Sequence, residues 1–196
     1  MNLQPEPSRR ERRTPDFALT MDEIRAVTAF AMTSAQRVLP LFEACHLEDS
    51  RPRDALAAAA AFVRGDQRSR AQRVTAPAAH RAAREAVAPV AFHAAMAAGD
   101  AAASAYLHPL ADAVQVNHIL RASAHTIRVF ELSLGEEHPG DPMERIIDLA
   151  TPLVIDVLRR YPRIGAGASR VGRLVHELDN RLRDQPRTPS MRATER

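Results

Sequence analysis

Apolar residues recur along this chain at spacings of three and four, the period of a helix packed on one side. The period-two alternation of a half-buried strand is absent. Thr20-Met-Asp-Glu23 has the form of a capping box, with Thr20 as N-cap and Glu23 reaching back to it. Ile24, Val27, Ala31, Ala35, Val38 and Phe42 follow on one face and predict a first helix to about Ala44, kinked at Pro40. Asp49-Ser50-Arg51-Pro52 is a turn into a second helix ending near Gly65. A third spans about Gln67 to Ala88 and is open to interruption at Pro77; Pro89 starts a fourth that runs to about Leu107. The fifth, Leu110 to Leu134, carries two apolar stripes, one through Val116, Leu120 and Ile127 and one through His118, His125 and Val129. A helix apolar over most of its circumference is expected at the centre of a fold. Helical sequence resumes from Pro142 to Arg160, restarting at the N-cap pair Thr151-Pro152. The last helix lines up Val171, Leu174, Leu178 and Leu182, with Glu177 and Arg181 spaced to pair on its other side.

The pattern predicts an all-α fold: one Ala-rich domain of about six to seven helices over residues 17–184, between disordered tails at 1–16 and 185–196. Composition agrees. Hydrophobic residues are 45 % of the chain, much of that alanine, and aromatics only 4 %. Alanine favours helix and buries little area, so such helices must approach closely to gather dispersion contacts.

All 27 basic residues are arginine. With no lysine there is no Walker A phosphate grip and no Schiff-base chemistry. The sequence pI near 9.9 suggests nucleic acid, but the basic excess lies in the tails. Residues 1–16 hold four Arg against Glu6, Glu11 and Asp16, and residues 181–196 five against Asp184 and Glu195. The 18 Arg and 19 acids between them leave a near-neutral body, so nucleic acid is not the expected partner. Cys45 is the one cysteine, which excludes an internal disulfide and any CxxC motif. The longest apolar run, Ala55–Val63, is far short of the roughly 20 residues of a membrane span. Met1 to Asp16 lacks the apolar core of a signal peptide, and the expected location is the cytoplasm.

Three constellations carry candidate chemistry. In Asp49-Ser-Arg-Pro-Arg53, Arg51 and Arg53 could grip a partner's carboxylate or phosphate. Alternatively, Asp49 caps a helix while an arginine ties down its neighbour. His80 and Arg84 stand one turn apart, yet no reacting partner for acid–base work is evident, and a buried histidine with a structural hydrogen bond is the plainer reading. His108, His118 and His125 invite a metal, but His118 and His125 are seven residues apart, about 10 Å along a helix, too far for one ion. No metal and no cofactor is expected. His108, His118 and Asn117 could instead line a ligand pocket.

Several segments together carry a resemblance. These are Val38-Leu-Pro-Leu-Phe-Glu43, the Asp-x-Arg-Pro-Arg motif at 49–53, Ala55–Gly65, Ala78-Ala-His-Arg-Ala-Ala-Arg84 and an Ala-rich helix ending in Ala98-Gly99. They resemble the small helical family five of immunity proteins from bacterial polymorphic toxin systems, over residues 24–134. Ser104–Ala111, Gln115–Leu120 and Val157–Pro162 resemble a high-GC bacterial branch, which adds the helices at 142–184. Asp100, Tyr106 and Leu110 stand where family members often carry histidine. The resemblance implies a non-enzymatic protein that binds and blocks a cognate toxin. Candidate partner-binding residues are Asp49, Arg51, Arg53, His80, Arg84, His108 and His118. Relatives in the branch are sometimes labelled SbcC exonuclease subunit. That enzyme class needs a Walker A lysine and a CxxC zinc hook, and this chain has neither.

Overall fold

The computed structural model describes residues 16–133 and 140–186. Among these residues the chain is all-helical, with nine α-helices, two short 3-10 turns and no strand. The order is α1 Met21–Gln36, α2 Leu39–Glu43, α3 Arg51–Val63, α4 Arg70–Glu85, α5 Pro89–Ala103, α6 Val116–Ser133, α7 Pro142–Ile147, α8 Pro152–Arg159 and α9 Arg170–Arg183. Nearly all of the two tails falls outside the described residues, as do Leu134 and most of the following loop.

Nine helices exceed the expected six to seven because two predicted helices are each divided. The first stops at Gln36 instead of running kinked to Ala44. Pro40 would push its ring against the Gln36 carbonyl, whereas the first turn of a new helix needs no donor there, and α2 begins around it. The second division is at Thr151, whose hydroxyl accepts the Val154 amide at 3.4 Å to start α8. Pro77, where the third predicted helix was open to interruption, interrupts nothing; α4 passes straight through it. Pro77 and Arg73 both lie on the exposed side, where water can take the Arg73 carbonyl that loses its amide partner. The fifth predicted helix begins at Val116, not Leu110, because Asp112 is extended and its carboxylate caps a 3-10 turn through the Val114 amide at 2.9 Å.

Local signals elsewhere hold. Thr20 accepts the Glu23 amide at 3.2 Å while Glu23 accepts the Thr20 amide at 2.7 Å. Gly65 sits just past α3 at φ +117°, a left-handed position that favours glycine.

The centre is a pair of helices, not α6 alone. The helix α5 packs against α1, α2, α3, α4 and α6, while α6 packs against α1, α5, α7 and α9. Ala91, Ala94, Ala95, Ala98, Ala101 and Ala102 are fully buried in α5, and this small-residue surface lets five neighbours share one axis. Ile119, Leu120 and Ile127 of α6 supply bulk on the other side. Hydroxyls cross the seam where side chains are small. Ser34 and Ser123 lie 2.9 Å apart, and Ser104 donates to Thr28 at 3.0 Å, all buried.

The last helices are fastened by arginine. Arg160 donates to Glu23 at 2.5 Å and to the Ala18 carbonyl at 3.1 Å, so the end of α8 is tied to the start of α1. This hydrogen bond from Arg160 is the main reason that the Glu23 carboxyl is lowered to about 2. Asp179 and Arg183 form a buried pair at 2.6 Å, with Arg183 also donating to the Tyr161 carbonyl. Arg181 turns away from Glu177 and pairs with Asp141 and Glu144. Its i,i+4 pairing fails because two carboxylates at α7 outbid one.

Candidate functional site

The residues singled out in the sequence fall into three places: the two ends of the α3–α4 pair, and the interior between α4, α5 and α6. The first end holds the Asp-x-Arg-Pro-Arg motif. Asp49 accepts the Arg51 amide at 3.1 Å and two guanidinium N–H groups at 2.9 and 2.7 Å. Arg51 also donates to Glu85 at the end of α4, at 2.5 Å. Its hydrogen bonds hold the Asp49 carboxyl below its ordinary range. Arg53 donates to Glu43 at 2.7 Å from a mostly exposed position. The motif therefore fastens α3 to α2 and α4. Arg84 is exposed close by and makes no hydrogen bond or ion pair among the described residues.

His80 does not join Arg84. It turns inward, and its Nε2 donates to Asp100 of α5 at 3.0 Å. The ring fits because residue 99 is glycine: a Cβ there would overlap His80 and press on the Ala76 carbonyl. From α6, Arg121 gives Asp100 a two-pronged bond, Nε at 2.9 Å and Nη2 at 2.6 Å. His125 Nε2 lies 3.7 Å from the same carboxylate, and its Nδ1 meets His93 Nδ1 at 2.8 Å. Three side chains from α4 and α6 thus converge on an aspartate of α5 that is 3 % exposed, and His93 joins them through His125.

The charges are ordered. Burial pushes the Asp100 carboxyl up, but His80 and Arg121 outweigh it and bring it to about 2. Asp100 is an anion and Arg121 its counter-ion. Burial drives His125 down to about 3 despite the Asp100 charge beside it, so that ring is neutral. Burial also lowers His93, and Arg128 adds to the effect. With both rings neutral, one Nδ1 must donate to the other. The Asp100 charge 3.7 Å from His125 Nε2 favours the tautomer protonated there, which makes His125 Nδ1 the acceptor of a His93 N–H. His118, half-buried on α6, is lowered by burial and by Arg121. Among the described residues no group of three or more His, Cys, Asp or Glu side chains is arranged to hold a metal ion.

The second end, at the start of α4, holds an open groove of about 570 Å³ lined by Arg68, Ser69, Arg70, Arg73, Tyr106 and His108. The pocket expected from His108, His118 and Asn117 is not this one. Asn117 donates to the Val114 carbonyl at 3.2 Å, and His118 does not line the groove. Ser69 begins α4 in a capping box with Gln72, which sends Arg70 and Arg73 outward on the first turn. Tyr106 donates to the Ser69 carbonyl at 3.0 Å, and the Arg73 guanidinium lies 5.3 Å from its ring centre. Arg68 reaches the Ala105 carbonyl at 3.4 Å. No carboxylate among the described residues pairs with Arg68, Arg70 or Arg73.

Sequence reasoning did not select Arg68, Arg70 or Arg73. The readable signal was the Ser69-x-x-Gln72 cap, which fixes where the flanking arginines point. Asp100 was noted only for standing in place of a histidine. Nothing local marks it as the hub of three helices.

Residues 18–148 match the Imm-5 like putative immunity protein family, which is more than half of the chain, and the chain belongs to that family. No curated protein and no solved structure gives a significant match. No helix among the described residues is long and apolar enough to cross a membrane.

Proposed function

We propose that this protein is a cytoplasmic immunity protein of a polymorphic toxin system, which neutralises a cognate toxin by binding it and without chemistry of its own. The observation that carries the reading is family membership over residues 18–148. Two features support it. The polar centre at Asp100 is satisfied internally and its carboxylate is buried, which suits a rigid scaffold better than a reaction site. The exposed arginines suit a protein surface that recognises another protein.

The candidate contacts divide by reach. Arg53, Arg84 and His108 are exposed and can touch a partner directly. Asp49 and Arg51 shape the turn that starts the helix carrying Arg53, while His80 is turned inward to Asp100 and His118 is half-buried on α6.

Co-expression with the toxin encoded beside this chain tests the reading. The expected result is a stoichiometric complex that survives purification, together with rescue of growth. Absence of both the complex and the rescue overturns it.

A further inference from the structure

We infer that the Arg68–Arg73 groove takes carboxylate side chains from an acidic segment of the partner protein. The inference rests on the toxin-binding reading for the identity of that partner, but its chemistry stands on the groove alone.

The groove differs from most of the arginine-bearing surface. Arg51, Arg53, Arg121, Arg160, Arg170 and Arg181 are each met by an aspartate or glutamate of the same chain. Arg68, Arg70 and Arg73 line one concavity with His108, and none has such a partner among the described residues. Arg68 has a single long bond to a carbonyl and Arg73 an aromatic face, so neither charge is neutralised. Three like charges sharing a groove repel one another, and an incoming anion relieves that repulsion. Guanidinium forks accept carboxylates in two-pronged geometry, as Arg121 does with Asp100 in this same molecule.

Two features favour an acidic protein segment over nucleic acid. Single-stranded nucleic acid is held by aromatic platforms open to stacking. Tyr106 is the groove's largest ring; its hydroxyl is tied to Ser69 and Arg73 lies against it, which leaves the small His108 imidazole as the other ring. A volume of about 570 Å³ suits a few side chains rather than a track for a polyanion backbone.

The test uses the full chain and a fluorescein-labelled peptide of alternating Glu and Ala, read by anisotropy. The wild-type protein binds it, and raising salt from about 50 to about 300 mM weakens binding. Arg70→Glu is the chief variant, because the Arg70 side chain is exposed and makes no hydrogen bond or ion pair among the described residues, so its replacement leaves the fold alone. It weakens binding about tenfold or more, the scale of one lost charge-assisted contact plus repulsion. Arg37→Glu carries the same change of net charge on an exposed residue away from the groove and shifts binding less than about twofold. Equal binding by all three proteins overturns the inference, as does no binding at all. Tighter binding of a single-stranded DNA oligomer with the same dependence on Arg70 also overturns it, in favour of nucleic acid.

The toxin reading is scored separately. A toxin complex that survives Arg70→Glu keeps the immunity function and removes the groove from it. Peptide binding with no toxin complex keeps the groove's chemistry and removes the toxin reading.

Discussion

The interior around Asp100 and the groove at Arg68–Arg73 are both clusters of charged and polar side chains, and they are built on opposite principles. At Asp100 every charge has its counterpart: an anion is held by a guanidinium and an imidazole, and two further rings close the chain of bonds. At the groove three cations face water, and no carboxylate among the described residues pairs with them. Burial explains the difference. A charge in the interior without a partner costs several kcal/mol, so only complete networks survive there. At the surface water tolerates an unpaired cation, and what is left unpaired inside the chain is free to pair outside it.

The largest effect that tests this contrast is expected from Asp100→Ala. It strands a half-buried guanidinium and a half-buried imidazole donor, and the loss should be about 3 kcal/mol or more in chemical denaturation. The partial exposure of Arg121, which lets it turn to water, keeps the loss from being larger. A loss below about 1 kcal/mol would mean the interior network does not hold the helices together.

Acid should act on the same centre. His125 titrates near 6.5 in the unfolded chain and near 3 in the folded one. Between those values the unfolded state binds the extra proton, so stability falls as pH drops below about 6.5, by at most about 1.4 kcal/mol per pH unit from this group. His93 is lowered too and contributes in the same direction. Asp100 adds a further loss below about pH 4, as its carboxylate is protonated towards its folded value of about 2. Denaturation curves collected between pH 7 and pH 4 should show this slope, and His125→Gln should flatten it. Identical slopes for the two proteins would remove His125 as its source.

Gly99→Ala should cost about 1–3 kcal/mol, because the new methyl displaces the His80 ring from Asp100. Adding His80→Ala should recover part of that loss by opening the space. No recovery in the double variant would place the strain at the Ala76 carbonyl instead.

The smallest effect belongs to the groove. Arg70→Ala should leave stability within about 0.5 kcal/mol of wild type in the same denaturation assay. A larger change would show that the groove, like the interior, serves the fold.

Local signals in the sequence were read well and distant ones were not. The Thr20–Glu23 capping box, the Thr151-Pro152 start and the turn at Asp49 involve residues within a few positions of each other, and each is found as its pattern implies. The family resemblance came from motifs of the same local kind. The two prolines show the limit of local rules. Pro40 and Pro77 obey the same steric constraint, yet one begins a helix and the other rides inside one, because Pro77 faces solvent. The Asp100 network joins residues from positions 80 to 125, and seeing it requires the rotation of three helices about their own axes. The groove joins the start of α4 to a turn some 35 residues later, which no spacing rule connects.

The alanine seam of α5 has a thermal consequence. Alanine hides few carbon atoms for each stretch of backbone it orders, so unfolding this helix hydrates a surface unusually rich in peptide groups. Apolar hydration raises the heat capacity and peptide hydration lowers it, so the heat-capacity change per residue should lie below the common ~12–15 cal/mol/K. A smaller value flattens the curve of stability against temperature. The protein should therefore lose little stability on cooling, and its melting should be governed by the polar centre that α5 carries at Asp100.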